Sequence, residues 1–231
     1  MLILAIDTTT RFGSVALVSS ENILAEVNYA SPSSHSRQVF RAMDELLGVA
    51  GIKVSEIEGL AVAAGPGSFT GIRIGLSLTK ALALASEKLV APVSSLEALA
   101  RKLIFPGVEL ISPVIDARKG EIFACTYLVA GLKLKEIIPP AAYNPREYLK
   151  LLSDKPQVYF IGTGVDLYRP LIWEILKERA RFVERTYFIA AEVGKLGEKL
   201  LEKGQGVSPA QLEPIYYRKS QAEEKKAEKT E

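Results

Sequence analysis

Ala64-Gly65-Pro66-Gly67-Ser68-Phe69-Thr70-Gly71-Ile72-Arg73-Ile74-Gly75 decides how this chain is read. The apolar run from Leu60 to Ala64 leads into it as a buried strand. Gly65-Pro66-Gly67 stops that strand. Ser68 or Thr70 then caps a helix running to about Ser86. Inside the helix, Gly71, Gly75, Thr79 and Ala83 return every fourth position and share one face. An interior helical glycine costs about 1 kcal/mol relative to alanine. A whole small face therefore implies a body packed tightly against it: a ligand, the protein's own sheet or a partner. The spacing excludes the two common phosphate loops. Gly67 is followed by Gly71 and not by a glycine at the dinucleotide spacing, and no Gly-Lys-Ser/Thr appears.

Upstream of that stretch, residues 2 to 6 read as a buried strand ending at Asp7, beside Thr8, Thr9 and Thr10. Residues 14 to 18 return as a second strand and 23 to 29 as a third. Residues 31 to 34 form a loop, and a helix spans about 36 to 50. Val39, Met43, Leu46, Leu47 and Ala50 recur there at helical spacing. Downstream, 89 to 93 is a strand, and Ser94 with Glu97 makes a capping box for a helix to about 103. Phe105-Pro106-Gly107 marks a boundary, after which the pattern restarts. Residues 110 to 115 form an apolar strand ending in Asp116, followed by a polar turn, Gly120 and a return strand over 122 to 128. The pairing of Asp7 with Asp116, each closing a strand before a glycine-bearing turn, is an internal repeat. Further elements are a strand at 132 to 138, a helix opened by Asn144-Pro145, and a strand at 158 to 161 closed by Gly162-Thr163-Gly164. Helices follow at about 167 to 179 and 190 to 203. This pattern predicts an α/β chain with a duplicated mixed-sheet unit. One lobe covers 1–105 and a second 106–219, with the final helix free to pack back on the first lobe. Residues 220–231 carry no large apolar side chain and read as a solvated, disordered tail.

Bulk properties exclude several functions. The 231 residues are 48% hydrophobic and 24% charged, with a formal net charge of +2; that balance does not point to nucleic acid. Arg73, Arg101, Lys102, Arg118 and Lys119 are scattered and read as solvated surface. Cys125 is the only cysteine, so no disulfide or thiolate metal site forms, which fits a reducing, cytoplasmic setting. No run reaches the roughly 20 apolar residues of a membrane span. His35 is the only histidine. It borders the helix at Ser36, and no Gly-x-Ser-x-Gly elbow exists to make it part of a hydrolase triad. Asp7, Thr8 and Thr9, with Asp116 from the second lobe, offer carboxylates and hydroxyls for a phosphate or hydrated magnesium ion. The same residues equally serve to satisfy turn backbones.

Ala5-Ile6-Asp7-Thr8-Thr9, Gly13-Ser14-Val15-Ala16-Leu17, His35-Ser36, the stretch from Gly65 to Gly75, and Asp116-Ala117-Arg118-Lys119-Gly120-Glu121 together resemble the TsaB family of tRNA threonylcarbamoyladenosine synthesis. The resemblance covers about the first 130 residues well. It implies a two-lobed actin-like (ASKHA, ribonuclease H-like) fold and a non-catalytic scaffold subunit. Its expected partners are a TsaD-like transferase, a TsaE-like ATPase and, when alone, a second copy of itself, with tRNA contacted only through the complex. No cofactor is required, with ATP or ADP at a vestigial or interface site. The first two long helices are implied to dock, with Gly71, Ile72, Gly75, Thr79, Val39 and Met43 at the interface. A bulky residue at Gly75 should then abolish the complex and leave the chain folded. Catalytic relatives carry a metal-binding histidine pair where Ser95 and Leu99 stand here, so no metal and no catalytic residue are expected. Gly162-Thr163-Gly164 sits where related folds contact adenosine. Asp7, Thr8, Thr9 and Asp116 would be a vestigial nucleotide site, or, in the alternative reading, the working site of a stand-alone ATPase or phosphotransferase.

Overall fold

Two apolar strands with short side chains begin each half of the chain. The fold is organised by what covers them in the computed structural model, which describes residues 1–30 and 35–218. The expected loop at 31–34 and the tail at 220–231 lie outside the described residues. In the first half, β1 (Leu2–Asp7), β2 (Phe12–Ser19) and β3 (Asn22–Ala30) form an antiparallel meander. After α1 (His35–Ala50), β4 (Gly59–Gly65) pairs parallel with β1. After α2 (Phe69–Ser86), β5 (Val90–Ser94) pairs parallel with β4, and α3 (Ser95–Arg101) follows. The second half repeats this with β6 (Leu110–Arg118), β7 (Glu121–Ala130), β8 (Lys133–Tyr143), α4 (Pro145–Lys150), β9 (Val158–Ile161), α5 (Thr163–Leu176), β10 (Ala180–Phe182) and α6 (Ala190–Glu202). The sheet orders are β3-β2-β1-β4-β5 and β10-β9-β6-β7-β8. Read from opposite edges they are the same order, so the repeat suggested by Asp7 and Asp116 is a repeat of topology.

Alternation along the strands divides the core of the first sheet. Leu4, Ile6, Val15, Leu17, Leu60 and Val62 point to the side covered by α1 and α2. Ile3, Ala5, Ala16, Ala61, Ala63 and Ala91 point to the side where α3 and α6 lie. That second face is mostly alanine, which lets a helix backbone come close. The helix that does so is α6, from the far end of the chain: it packs on β1, β2, β4 and β5. In exchange, α3 packs on β6 of the second sheet as well as on its own. The last helix of each half thus lies between the two sheets.

A buried carboxylate anchors α6 there. Glu198 is 1% exposed. Its carboxylate accepts from the Met1 ammonium at 2.9 Å, from the Ser20 N–H at 2.8 Å and from the Glu21 N–H at 2.9 Å. Burial pulls its proton affinity up, but the ammonium and the two N–H groups together hold the carboxyl below its usual range. Glu198→Ala is expected to cost about 2–3 kcal/mol, because the amides at the β2–β3 turn lose a charged acceptor. The loss, read by urea unfolding, should be full at neutral pH and shrink as pH falls through the carboxyl's own titration, where wild type loses the same bonds.

Beyond α6 the chain runs back over the first lobe. Val207 bridges to Val90, Leu212 is buried in the α1–α2 core, and the Ile215 N–H donates to the Ala64 carbonyl at 2.8 Å. Tyr216 then stacks on Phe69, and Arg218 reaches Glu121 of the second lobe at 2.8 Å.

Some elements differ from the sequence expectation. α5 starts at Thr163 and not near 167, so the Gly162-Thr163-Gly164 turn is itself the helix start. β10 has three residues, too few to show a period. β8 continues to Tyr143 through two prolines, which an edge strand tolerates.

Candidate functional site

Phosphate chemistry, if the chain performs it, would start at the turn after β1. Asp7 is fully buried there. One carboxylate oxygen, Oδ1, accepts from the Thr9 N–H at 2.9 Å and the Thr9 hydroxyl at 2.7 Å. The other, Oδ2, is buried with no hydrogen-bond partner among the described residues. Desolvation raises its carboxyl to about 6, although the two Thr9 bonds pull the other way. Thr8 donates its hydroxyl to the Gly71 carbonyl at 2.6 Å, and the Thr9 carbonyl accepts from the Ser68 N–H at 2.6 Å. The hydroxyls that would hold a phosphate are therefore committed to the turn and to the start of α2.

The second-lobe turn is similarly occupied. Asp116 accepts from the Arg118 N–H at 2.8 Å and pairs with the Arg118 guanidinium at 3.6 Å. Gly162, at φ +114°, brings its backbone against β6: a Cβ there would lie 2.3 Å from the Val114 carbonyl oxygen. Close packing accounts for this glycine without a nucleotide. Among the described residues no group of three or more His, Cys, Asp or Glu side chains could hold a metal. Ser95 and Leu99, where the resemblance implies a histidine pair in catalytic relatives, are buried in α3. The residues present do not fit a magnesium–phosphate clamp: one aspartate has a single open oxygen, the other is paired to arginine, and the threonines are spent.

The small face of α2 meets the protein's own sheet. A Cβ on Gly71 would lie 2.0 Å from the Thr8 carbonyl oxygen, and one on Gly75 would lie 2.6 Å from the Thr8 hydroxyl. Ile72 and Thr79 are buried beside them, and Val39 and Met43 are buried under α1. All six residues expected at a partner interface thus belong to the chain's interior. This corrects the expected position of the docking face. Helical periodicity marks the side turned to a core, and here that core is the chain's own first sheet. The expectation that a bulky residue at Gly75 would spare the fold is corrected with it.

The opposite sides of α1 and α2 form a groove of about 740 Å³ lined by Phe40, Phe69, Arg73, Ile74, Ser77, Leu78 and neighbours. Phe40 is 51% exposed and Phe69 36%. Arg73 lies over the Phe69 ring at 3.9 Å, the same ring on which Tyr216 stacks. The groove is apolar with one guanidinium at its edge, the composition of a protein-contact surface. Sequence periodicity passed over these residues, yet a signal was there. Arg73 and Lys80 are the only charged residues from 69 to 86, and a helix apolar nearly all round has two sides to cover.

Known proteins share this geometry and much of its sequence. The family described as "TsaD: tRNA N6-adenosine threonylcarbamoyltransferase" matches residues 22–226. The tRNA threonylcarbamoyladenosine biosynthesis protein TsaB of Bacillus subtilis is 34% identical over 178 residues, 76% of this chain and 77% of that protein. The Escherichia coli TsaB is 28% identical over 96% of both chains. The solved structure of YeaZ from Pseudomonas aeruginosa superposes with a TM-score of 0.80 at 27% identity, covering 93% of this chain and 99% of that one. A ROK hexokinase from Thermus thermophilus shares the fold at a TM-score of 0.51 and 11% identity, which places the duplicated architecture among actin-like folds. No helix among the described residues is long and apolar enough to cross a membrane. With the topology, the turn motifs and these relatives in agreement, the chain belongs to the TsaB (YeaZ-type) family of tRNA threonylcarbamoyladenosine biosynthesis proteins, within the broader family of the TsaD transferase.

Proposed function

We propose that this chain is a non-catalytic subunit that docks onto a TsaD-like threonylcarbamoyltransferase and supports transfer of the threonylcarbamoyl group to the adenosine beside the tRNA anticodon. The observation that carries this reading is the exposed apolar groove between α1 and α2. A transferase of the same family brings an equivalent helix pair, so the two can meet as a four-helix contact with pseudo-twofold geometry. The same surface takes a second copy of this chain when the transferase is missing. A TsaE-like ATPase completes the assembly, and tRNA reaches it through the transferase. Docking needs no cofactor, with ATP or ADP at a vestigial or interface site. The alternative, a stand-alone ATPase acting through Asp7 and Asp116, would need the Thr8 and Thr9 hydroxyls that the turn already uses.

The test is co-expression with the transferase followed by size measurement. Wild type should co-elute with it. Phe40→Asp and Ser77→Arg, both at exposed positions of the groove, should each weaken the complex by about 2 kcal/mol or more, the range of a central contact residue, while leaving the melting temperature of the isolated chain nearly unchanged. Wild-type protein that fails to associate, or variants that co-elute as wild type does, would sink the proposal.

A further inference from the structure

Residues 203–218 leave the end of α6 and run back across the first lobe to the α1–α2 groove. Four anchors fix their path. Val207 exchanges two backbone hydrogen bonds with Val90, at 2.8 and 2.9 Å, on the edge of the first sheet. Leu212 is buried in the core under α1 and α2. The Ile215 N–H donates to the Ala64 carbonyl at 2.8 Å. The Ile215 carbonyl oxygen lies so near Gly65, at φ +124°, that a Cβ there would be 2.5 Å from it. Arg218 reaches Glu121 of the second lobe at 2.8 Å.

Tyr216 stands between the last two anchors. Its ring is stacked on that of Phe69, with centroids 5.4 Å apart and 23° between the planes. The Arg73 guanidinium lies 3.9 Å from the centroid of the same Phe69 ring. Two groups therefore hold Phe69, one from its own helix and one from the far end of the chain. Phe69 and Arg73 line the groove, whereas Tyr216 does not.

This support matters because of where Phe69 sits. It is the first residue of α2, and its neighbours Ser68 and Thr70 are exposed, so the helix alone packs little around the ring. An exposed aromatic that is free to turn must be ordered when a partner arrives, which weakens binding. A ring already stacked has been ordered on folding. Contact energy concentrates on such fixed aromatic anchors.

We infer that Tyr216 is a positioning residue for docking: it holds Phe69 in the orientation in which the helix pair of a TsaD-like transferase meets the groove. The inference rests on the docking reading above. It adds that the groove, lined by residues between 36 and 82, is finished only when the segment after α6 has been laid across the first lobe.

Calorimetry of the full chain with the transferase, on four variants, tests this. Tyr216→Ala should weaken binding about fivefold or more, the size of one aromatic pair. Tyr216→Phe keeps the ring and should bind as wild type does. Phe69→Ala should weaken binding, and adding Tyr216→Ala to it should cost nothing further, because the second residue acts through the first. The melting temperature of the isolated chain should stay nearly constant throughout, since Leu212 and Ile215 still hold the segment. Wild-type affinity in Tyr216→Ala would overturn the positioning role. So would additive losses in the double variant, which would make Tyr216 a direct contact, or a loss matched by a fall in melting temperature, which would make it a stability residue. Each of these leaves the docking groove standing. A wild-type chain that does not bind the transferase would overturn the docking reading, and this inference with it.

Discussion

Replacing Gly71 with alanine is expected to destabilise the chain by about 3 kcal/mol or more, the upper end for forcing an atom into a packed site. The new methyl would sit 2.0 Å from the Thr8 carbonyl oxygen. That oxygen is backbone, and it cannot move alone. Thr8 donates to the Gly71 carbonyl, and the adjoining Thr9 carbonyl takes the Ser68 N–H at the start of α2. Gly75→Leu should act in the same direction through the Thr8 hydroxyl. Gly48 supplies the control. It lies in α1, and a Cβ added to it would meet no atom within 4 Å, so Gly48→Ala should stabilise by up to about 1 kcal/mol through helix propensity. Urea unfolding of the three variants checks both signs. A Gly71→Ala protein as stable as wild type but unable to bind the transferase would restore the small face as the docking surface.

Asp7→Asn is expected to stabilise the protein at about pH 8, by roughly 1–2 kcal/mol, and to give no gain near pH 5. The carboxyl titrates at about 6 in the folded chain against an ordinary 3.8. Below the ordinary value both states are protonated and no penalty exists. As pH rises from there, the unfolded chain ionises first, and folding stability falls until the folded group has also titrated. Above that point the full penalty applies, about 3 kcal/mol for a difference of this size. Asparagine keeps the oxygen that accepts from Thr9 but places a donor where Oδ2 lacks a partner, which returns part of the gain. The difference between wild type and variant, followed by thermal melting against pH, isolates this group from Glu198, whose shift runs the opposite way. A difference that does not change with pH would show that folding leaves the titration of Asp7 unshifted, and would overturn the disfavoured buried carboxylate.

Local signals read correctly, and distant ones did not. Val39, Met43 and Leu46 revealed the buried side of α1 because periodicity is local. Asn144-Pro145 revealed the start of α4 because its cap is local: the Asn144 side chain accepts from the Arg146 and Glu147 N–H groups. The matching Asp7 and Asp116 turns revealed the duplication because both halves keep the same strand ends. What covers Gly71 and Gly75 was not local. The answer is Thr8, more than sixty residues earlier, and nothing in the helix distinguishes a strand end from a partner. The outward groove was hidden for a different reason. Phe40 and Phe69 are apolar residues at the surface, and single apolar residues there are common; only their convergence in space with Ile74 makes the groove. The concavity lined by Phe12, Phe160, Phe182, Tyr187 and Phe188 draws on β2, β9, β10, α5 and residues 183–188, segments with no shared motif.

The position of α6 has a consequence for how the protein is made. The alanine-rich side of the first sheet is covered largely by α6, which leaves the ribosome only after every strand of the second sheet has been translated. Until then β1 and β2 present a bare apolar side and α3 alone lies over β4 and β5, so the first lobe has to wait, half-built, for a helix some hundred residues downstream. Cutting the gene at the boundary near Phe105-Pro106-Gly107 should therefore not yield two self-sufficient proteins. It should yield two fragments that each lack a wall and recover a native shape only when mixed.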